Sequence, residues 1–244
     1  MGIDLPNPDM SNSSAIYYHG STKAIKSPTH NGSRKATDFG KGFYVTPDDL
    51  FAKRWCIKEK NLDAVAIANK YELDLTNLNV KNFELNNDWL FMVIYSRAYK
   101  IRGVVANLYS PDDLHFFYRR LRAFYDISSD HDVISGPAAD DQHLDTIEAF
   151  LSGVLTDKQA IAALECQELA LELCLKSEKA ISSLKFIGSN NLSYSKKSEI
   201  VYDSAIRRAS IVSNAKAAIS NLKSSGHLIR YYIDGGDFYI DGNS

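Results

Sequence analysis

The chain has 244 residues, of which 45% are hydrophobic and 24% charged, the proportions of a globular protein with a sizeable core. Its net charge of −2 excludes a general electrostatic attraction to nucleic acid or to a membrane surface. No apolar run approaches the roughly 18 residues of a membrane span. The three cysteines have neither metal-ligand nor disulfide-framework spacing, so they predict reduced thiols and a cytoplasmic protein, or one delivered as an effector.

The first 14 residues are polar, contain proline and do not form a secretory signal, so we treat residues 1–14 as a leader outside the fold. The elements predicted after them are, in chain order, a strand at 15–20, a strand at 43–46, a helix at 47–61, a strand at 64–76, helices at 89–99 and 111–126, a strand at 131–137, helices at 142–153 and 156–165, a strand at 169–177 and a short helix at 178–187. No internal repeat interrupts this order.

The composition changes after residue 187. Residues 188–198 are rich in glycine, serine, asparagine and lysine and predict a linker, and residues 199–226 predict a helix. The Asp-Gly-Gly-Asp sequence at 234–237 lies between aromatic-rich stretches and predicts a β-hairpin. We therefore divide the chain into a domain at 15–187 and a C-terminal extension at 188–244. The extension is too short to bury a core alone and must dock on the domain or on a partner.

Two short phrases carry the chemistry of the sequence. The strand at 15–20 ends in YYHGS, residues 17–21, and the next strand follows DFGKGFYVT, residues 38–46. A histidine at a strand end or a Gly-Lys-Gly turn has little meaning alone, and the second phrase is not a phosphate-cradling P-loop. Their combination is more specific, because a Trp-containing helix, a GPAADD turn and a late strand with a glutamate follow in this order.

This combination resembles the catalytic core of the poly- and mono-ADP-ribosyltransferases of the diphtheria-toxin class, which carry a His-Tyr-Glu signature. It looks still more like a bacterial family of uncharacterised ADP-ribosyltransferase-type domains, and the resemblance covers about residues 16–187. It implies an α+β fold with a split, mostly antiparallel β-core surrounded by helices. It also implies that NAD+ is the substrate and binds between the split strands without a metal.

The resemblance assigns catalytic roles to His19, Tyr44 and Glu172. The resemblance implies that His19 donates a hydrogen bond to the adenosine ribose and that the Gly20 backbone N–H and C=O bind the nicotinamide carboxamide. It implies that the rings of Tyr44 and Trp55 cover the two nicotinamide faces. The full set expected to bind NAD is His19, Gly20, Ser21, Phe39, Gly40, Lys41, Gly42, Tyr44 and Trp55. The polymerases have a serine where this chain has Ala52, which removes one carboxamide contact.

Two glutamates compete for the third catalytic role. Glu172 opens the apolar strand before Ser177, as in the polymerases, whereas Glu199 follows the linker and is the weaker candidate. The bacterial family often carries glutamine at the position of Glu172. The carboxylate would stabilise the oxocarbenium ion that forms when the nicotinamide–ribose bond breaks. Nicotinamide leaves uncharged, so no metal is required, and His115, His131 and His143 are too dispersed to suggest one.

The expected function is transfer of ADP-ribose from NAD to a macromolecule, with protein the favoured acceptor and nucleic acid open. A bacterial toxin, an effector or a toxin with a cognate antitoxin or regulatory partner fits this activity. The alternatives are an NAD glycohydrolase and an inactive module that binds NAD or a partner. Asp140 and Asp141 either cap the next helix or line the acceptor side. The extension either restricts acceptor access or covers apolar surface at the periphery.

Overall fold

The structure, a computed structural model, describes residues 14–32, 37–97, 106–139, 141–166, 169–222 and 225–238. Its strands are β1 (Ala15–Ser21), β2 (Phe43–Val45), β3 (Ile67–Leu73), β4 (Val80–Asn82), β5 (Val133–Pro137), β6 (Leu171–Leu175) and β7 (Leu184–Asn191). Its helices are α1 (Asp49–Cys56), α2 (Asn87–Ser96), α3 (Pro111–Ser129), α4 (Asp141–Leu151), α5 (Asp157–Glu165), α6 (Glu178–Ser182), α7 (Tyr194–Leu222) and α8 (Ile229–Ile233). The predicted α+β class is confirmed at this level.

The strands form two sheets that meet at β1 and β2. The first sheet has the order β1–β3–β7 and is antiparallel throughout. The second has the order β2–β6–β5–β4, with β4 parallel to β5 and the other pairs antiparallel. An antiparallel bridge between Tyr18 and Thr46 joins the two sheets. The two phrases singled out in the sequence therefore lie on adjacent strand ends.

The alternation of side chains along β2 divides the interior into two cores. Phe43 and Val45 pack with residues of both sheets, including Tyr71, so this cluster fills the space between the sheets. Tyr44 points the other way and belongs to the cluster formed with helix α2 and its neighbours. Because side chains of a strand alternate between its faces, adjacent residues of one motif serve different compartments.

Helix α2 is the centre of the second core. Asn86 caps its start by accepting a hydrogen bond from the Trp89 backbone N–H at 3.1 Å, so the cap lies three residues before residue 89, where the sequence predicted the helix to start. Residues 89–94 are fully buried, and the Trp89 indole donates to the Pro137 carbonyl at 2.7 Å. The helix ends at Arg97, whose side chain is thereby held inside the protein.

The C-terminal region differs from its prediction in two places. Strand β7 runs through residues 184–191, so it crosses the predicted boundary at 187 and replaces the start of the predicted linker. It forms because its backbone pairs with β3, a tertiary contact that composition does not reveal. Residues 229–233 form helix α8 where the first hairpin strand was predicted, and residues 239–244 lie outside the described residues.

Helix α8 and the residues after it complete the second core. Ile229, Tyr232, Ile233 and Phe238 are buried there, with Tyr232 and Phe238 each 4.7 Å from the Phe91 ring. Arg120 of α3 donates to the carbonyl oxygens of Tyr232 and Gly236 at 3.0 and 2.7 Å. This segment is therefore an integral part of the hydrophobic core.

Among the described residues, the helices are all too short or too polar to span a bilayer.

Candidate active site

The strands β1 and β2 are hydrogen-bonded at one point and then separate. Tyr18 and Thr46 exchange two backbone hydrogen bonds of 2.8 and 2.9 Å. Two residues further along each strand, the expected backbone pairing of Gly20 with Tyr44 is replaced by a side-chain contact. The His19 Nδ1 lies 2.6 Å from the Tyr44 carbonyl oxygen. We call the opening beyond this contact the fork; it is bounded by residues 19–21 of β1 and by the backbone of β2.

The contact with Tyr44 fixes the tautomer of His19. A carbonyl oxygen only accepts, so Nδ1 carries the proton and donates it, and Nε2 is left as an acceptor. Burial lowers the pKa of His19, and the hydrogen bond to Tyr44 only partly opposes this effect, so the ring is neutral at pH 7. The imidazole stacks on Phe43 with ring centroids 4.5 Å apart. His19 therefore presents a neutral hydrogen-bond acceptor beside the fork, rather than the donor to the ribose that the resemblance implied, because its one N–H is used by the Tyr44 carbonyl.

Gly20 presents a free backbone edge to the fork. In antiparallel pairing the N–H and C=O groups of alternate residues point to the same side, so those of Gly20 share the edge that Tyr18 uses toward β2. Neither group of Gly20 has a backbone partner on that edge among the described residues. A donor and an acceptor side by side on one strand edge match the hydrogen-bonding pattern of a primary carboxamide.

The second reason for a glycine at this position is the packing of helix α1. A Cβ atom on Gly20 would lie 2.0 Å from the Ala52 carbonyl oxygen and 3.0 Å from the Cys56 backbone nitrogen. The backbone of α1 therefore sits directly on β1, and Ala52, where the polymerases have a serine, is fully buried in this contact.

Replacement of Gly20 by alanine is expected to destabilise the fold by about 1–3 kcal/mol, because α1 must move to admit the new methyl group. Chemical denaturation measures this change. Gly188→Ala in β7 is the matched control, since no atom lies within 4 Å of a Cβ built there, and it should leave stability within about 1 kcal/mol of the parent. Equal effects of the two substitutions would contradict the close packing of α1 on β1.

The loop before β2 is closed by hydrogen bonds of its own residues. Gly40 has a φ of 77°, a conformation that favours glycine, and its carbonyl accepts the Tyr44 hydroxyl at 2.6 Å. The Phe39 backbone N–H donates to the same hydroxyl at 3.1 Å. Lys176 donates to the Phe39 carbonyl at 2.8 Å. The Tyr44 hydroxyl thus serves as the internal anchor of this loop.

Tyr44 and Glu172 face the second core rather than the fork. Tyr44 lies opposite Cys174 across β2 and β6, and Glu172 is on the same face of β6. Burial, followed by the neighbouring Cys174 and Glu172, raises the pKa of Tyr44. Burial, together with the charge of Asp38 and a hydrogen bond to it, raises the pKa of Glu172 well above its usual range. These surroundings favour the neutral, protonated form of the Glu172 carboxyl.

Glu172 lies beside a buried ion pair. The sequence analysis did not predict this pair. Asp38 pairs with Arg97, and it also accepts the Ala139 backbone N–H at 2.7 Å. Arg97 in turn donates to the Ala139 carbonyl. The Glu172 Oε1 atom is buried without a hydrogen-bond partner among the described residues. The network ties the DFG sequence, the end of α2 and the GPAADD turn together, and the aspartate of DFG was the available signal for it.

The predicted site residues therefore divide into two groups. His19, Gly20 and Ser21 border the fork, and Lys41 lies exposed on the loop beside it. The imidazole of His19 packs on Phe43, on the side of the space between the sheets, whereas Glu172 lies on the face of β6 that it shares with Cys174. Glu199, the weaker candidate, is exposed on α7 and pairs with Lys196.

Four other positions from the predicted NAD site, three aromatic residues and one glycine, have the following surroundings. Phe39 is fully buried and stacks on Phe83, so it is not at the surface of the fork. A Cβ on Gly42 would lie 2.2 Å from the Cys174 sulfur, so this glycine allows β2 to approach β6. The Tyr44 ring is buried, and Trp55 is 36% exposed on α1 with its ring centroid 5.0 Å from that of Phe51. The aromatic ring of β2 beside His19 is that of Phe43.

Within the described residues, no group of three or more His, Cys, Asp or Glu side chains is placed to hold a metal ion. Asp140 lies outside these residues, and Asp141 is the first residue of α4. The structure therefore leaves both interpretations of this acidic pair open.

Comparison with known proteins gives one family. The model of the family described as protein of unknown function, DUF3990, matches residues 15–186, which is well over half of the chain. The comparison with curated proteins found no match, and the comparison with solved structures found none either. The matched segment contains the fork, the buried ion pair and β6, and it ends inside β7.

Proposed function

We propose that this chain, which belongs to the DUF3990 family of unknown function, is an NAD-dependent ADP-ribosyltransferase. The proposal is supported by the backbone and side-chain groups that border the fork. It cleaves the nicotinamide–ribose bond of NAD+ and transfers ADP-ribose to a macromolecular acceptor, with protein the expected class. The acceptor attacks the ribose carbon, nicotinamide leaves as a neutral molecule, and the acceptor's proton goes to solvent.

The free backbone edge of Gly20 is the observation that carries this proposal. Its N–H and C=O are positioned to bind the two ends of the nicotinamide carboxamide, and a side chain at this position would displace α1. His19 is the residue before Gly20, and its Nε2 acceptor suits a ribose hydroxyl, which donates. The same two residues are those that the resemblance to the His-Tyr-Glu enzymes assigns to NAD.

The position of Glu172 favours a second candidate, a module that binds NAD without cleaving it. A carboxylate must stand near the ribose to stabilise the oxocarbenium ion, and such a group contributes about 3–4 kcal/mol to catalysis. Glu172 is only 1% exposed, its burial raises the pKa of the carboxyl and favours the protonated form, and it faces the core around α2. For transfer to occur through Glu172, its carboxyl must lose its proton and reach the bound ribose.

Incubation of the full chain with NAD labelled in the adenosine half tests the proposal. Label on a macromolecule supports transfer, free labelled ADP-ribose identifies a glycohydrolase, and bound but intact NAD identifies a binding module. Glu172→Gln separates the roles of that residue. A catalytic carboxylate predicts a loss of about 10²–10³-fold in rate with unchanged NAD affinity, whereas a buried neutral group predicts little change.

His19→Ala is expected to weaken NAD binding about tenfold, because the ribose hydroxyl loses its acceptor and the Tyr44 carbonyl loses its donor. Isothermal titration calorimetry with NAD measures this loss. His30→Ala, in the loop after β1, is the matched control and should bind NAD like the parent. Equal affinities of all three proteins would show that NAD, if it binds, does not use the fork.

A further inference from the structure

A fully buried asparagine lies directly opposite His19. Asn69 is on β3, where its Cα is paired with that of His19, and its side chain is 0% exposed. Its Oδ1 atom accepts the Ile25 backbone N–H at 2.9 Å. Its Nδ2 atom donates to the carbonyl oxygens of His19 and Lys23 at 3.3 and 3.2 Å. One amide hydrogen therefore points at the fork residue His19, and the other points at Lys23 in the segment that follows β1.

A second side chain of β3 holds the same segment. The Tyr71 hydroxyl donates to the Ile25 carbonyl at 2.7 Å, and its ring is buried between the sheets. Residues 22–26 are non-helical and are held to β3 by these contacts. The direction of the chain beyond Ser21 is therefore set by side chains of β3.

We propose that Asn69 is a positioning residue of the carboxamide subsite. By fixing the backbone on both sides of Gly20 and Ser21, its amide keeps the N–H and C=O of Gly20 pointed into the fork. Without it, the end of β1 keeps its backbone pairing with β3, but the His19 carbonyl and the segment after Ser21 lose their side-chain anchor, so the orientation of the Gly20 donor and acceptor is less tightly fixed. The identity of the ligand rests on the proposed function, whereas the positioning of β1 does not.

The test compares nicotinamide with ADP-ribose, because these two halves of NAD contact different parts of the site. Asn69→Ala is expected to weaken nicotinamide binding about tenfold and ADP-ribose binding about threefold or less. Asn87→Ala is the matched control, since it removes an asparagine bond of 3.2 Å to Asp157, far from β1 along the chain. It should lower the melting temperature without a difference between the two ligands.

A ligand-free measurement accompanies the titrations. In ¹⁵N spectra of the histidine rings, His19 of the parent should be the Nδ1–H tautomer, and Asn69→Ala should reduce the population of that tautomer while Asn87→Ala leaves it unchanged. An unchanged tautomer, or equal losses of nicotinamide and ADP-ribose affinity, would overturn the positioning role.

If Asn69→Ala does not fold, Tyr71→Phe replaces it, with an expected loss of about threefold for nicotinamide alone. A parent protein that binds neither ligand counts against the proposed function, and the tautomer still decides the role of Asn69.

Discussion

Replacement of Glu172 by glutamine is expected to stabilise the protein increasingly as the pH rises. Folding raises the pKa of Glu172 above its ordinary value of 4.5. The protonated carboxyl therefore contributes fully to the unfolding free energy below pH 4.5, and this contribution is lost as the pH rises toward the folded-state pKa. Glutamine has the same shape as the protonated carboxyl and has no proton to lose. Its advantage should grow by up to about 1.4 kcal/mol per pH unit over the range in which Glu172 is ionised in the unfolded state and protonated in the folded state.

Urea denaturation at a series of pH values measures this difference. Glu72→Gln provides a control of opposite sign, because hydrogen bonds from Ser14 and Lys185 lower the pKa of this exposed glutamate. Its contribution to stability exists above its ordinary pKa and is lost as the pH falls, so the glutamine variant should be relatively weaker at neutral pH. A Glu172→Gln advantage that does not change with pH would mean that the folded carboxyl is ionised.

Replacement of Asp157 by alanine is expected to cost about 3–5 kcal/mol of unfolding free energy. The carboxylate is fully buried, and it accepts the backbone N–H groups of Lys158 and His227, both at 2.7 Å. It also accepts the Tyr232 hydroxyl at 2.5 Å and the Asn87 amide at 3.2 Å. Alanine would leave these four donors buried without their acceptor, and the contacts that join α5 to α8 would be lost.

Denaturation monitored by tyrosine and tryptophan fluorescence measures this cost. Tyr232→Phe removes one of the four donors and should cost about 1–2 kcal/mol. Asp112→Ala, in the exposed first turn of α3, should change stability by no more than about 1 kcal/mol. If Asp157→Ala lowered the unfolding free energy no more than Asp112→Ala, the hydrogen bonds of Asp157 would not be what stabilises the packing of the C-terminal segment on the core.

The sequence carries enough information to place the two motifs next to each other, but not to assign their side chains to a compartment. The phrases YYHGS and DFGKGFYVT were predicted to border one cleft, and His19 does contact the Tyr44 carbonyl. The late strand that carries Glu172 was also predicted, and it is present as β6. What packs on each face depends on α2 and its terminal Arg97, which lie 75 residues before Glu172. Such non-local packing has no signature in the strand itself.

The C-terminal region shows the opposite case, in which a usable signal was present. The Asp-Gly-Gly-Asp sequence favours a hairpin locally, yet Ile229, Tyr232 and Ile233 have the spacing of one helix face, and these three residues are buried together. Asn69 is similar, because it is a polar residue within an otherwise apolar strand pattern. Only the partners of its amide, which lie more than 40 residues away, explain its presence.

The burial of α8 in the core around α2 also bears on the synthesis of the protein. The aromatic cluster of Phe91, Tyr232 and Phe238 joins residues separated by about 140 positions in the chain. While the ribosome has released only the family-matched segment, the faces of Phe91 and Phe117 that later receive α8 remain exposed to solvent. During this interval a nascent chain offers the kind of apolar surface that chaperones bind. The core can close only after residues 229–238 have left the ribosome. The last stage of folding therefore comes after the domain that carries the fork has been synthesised.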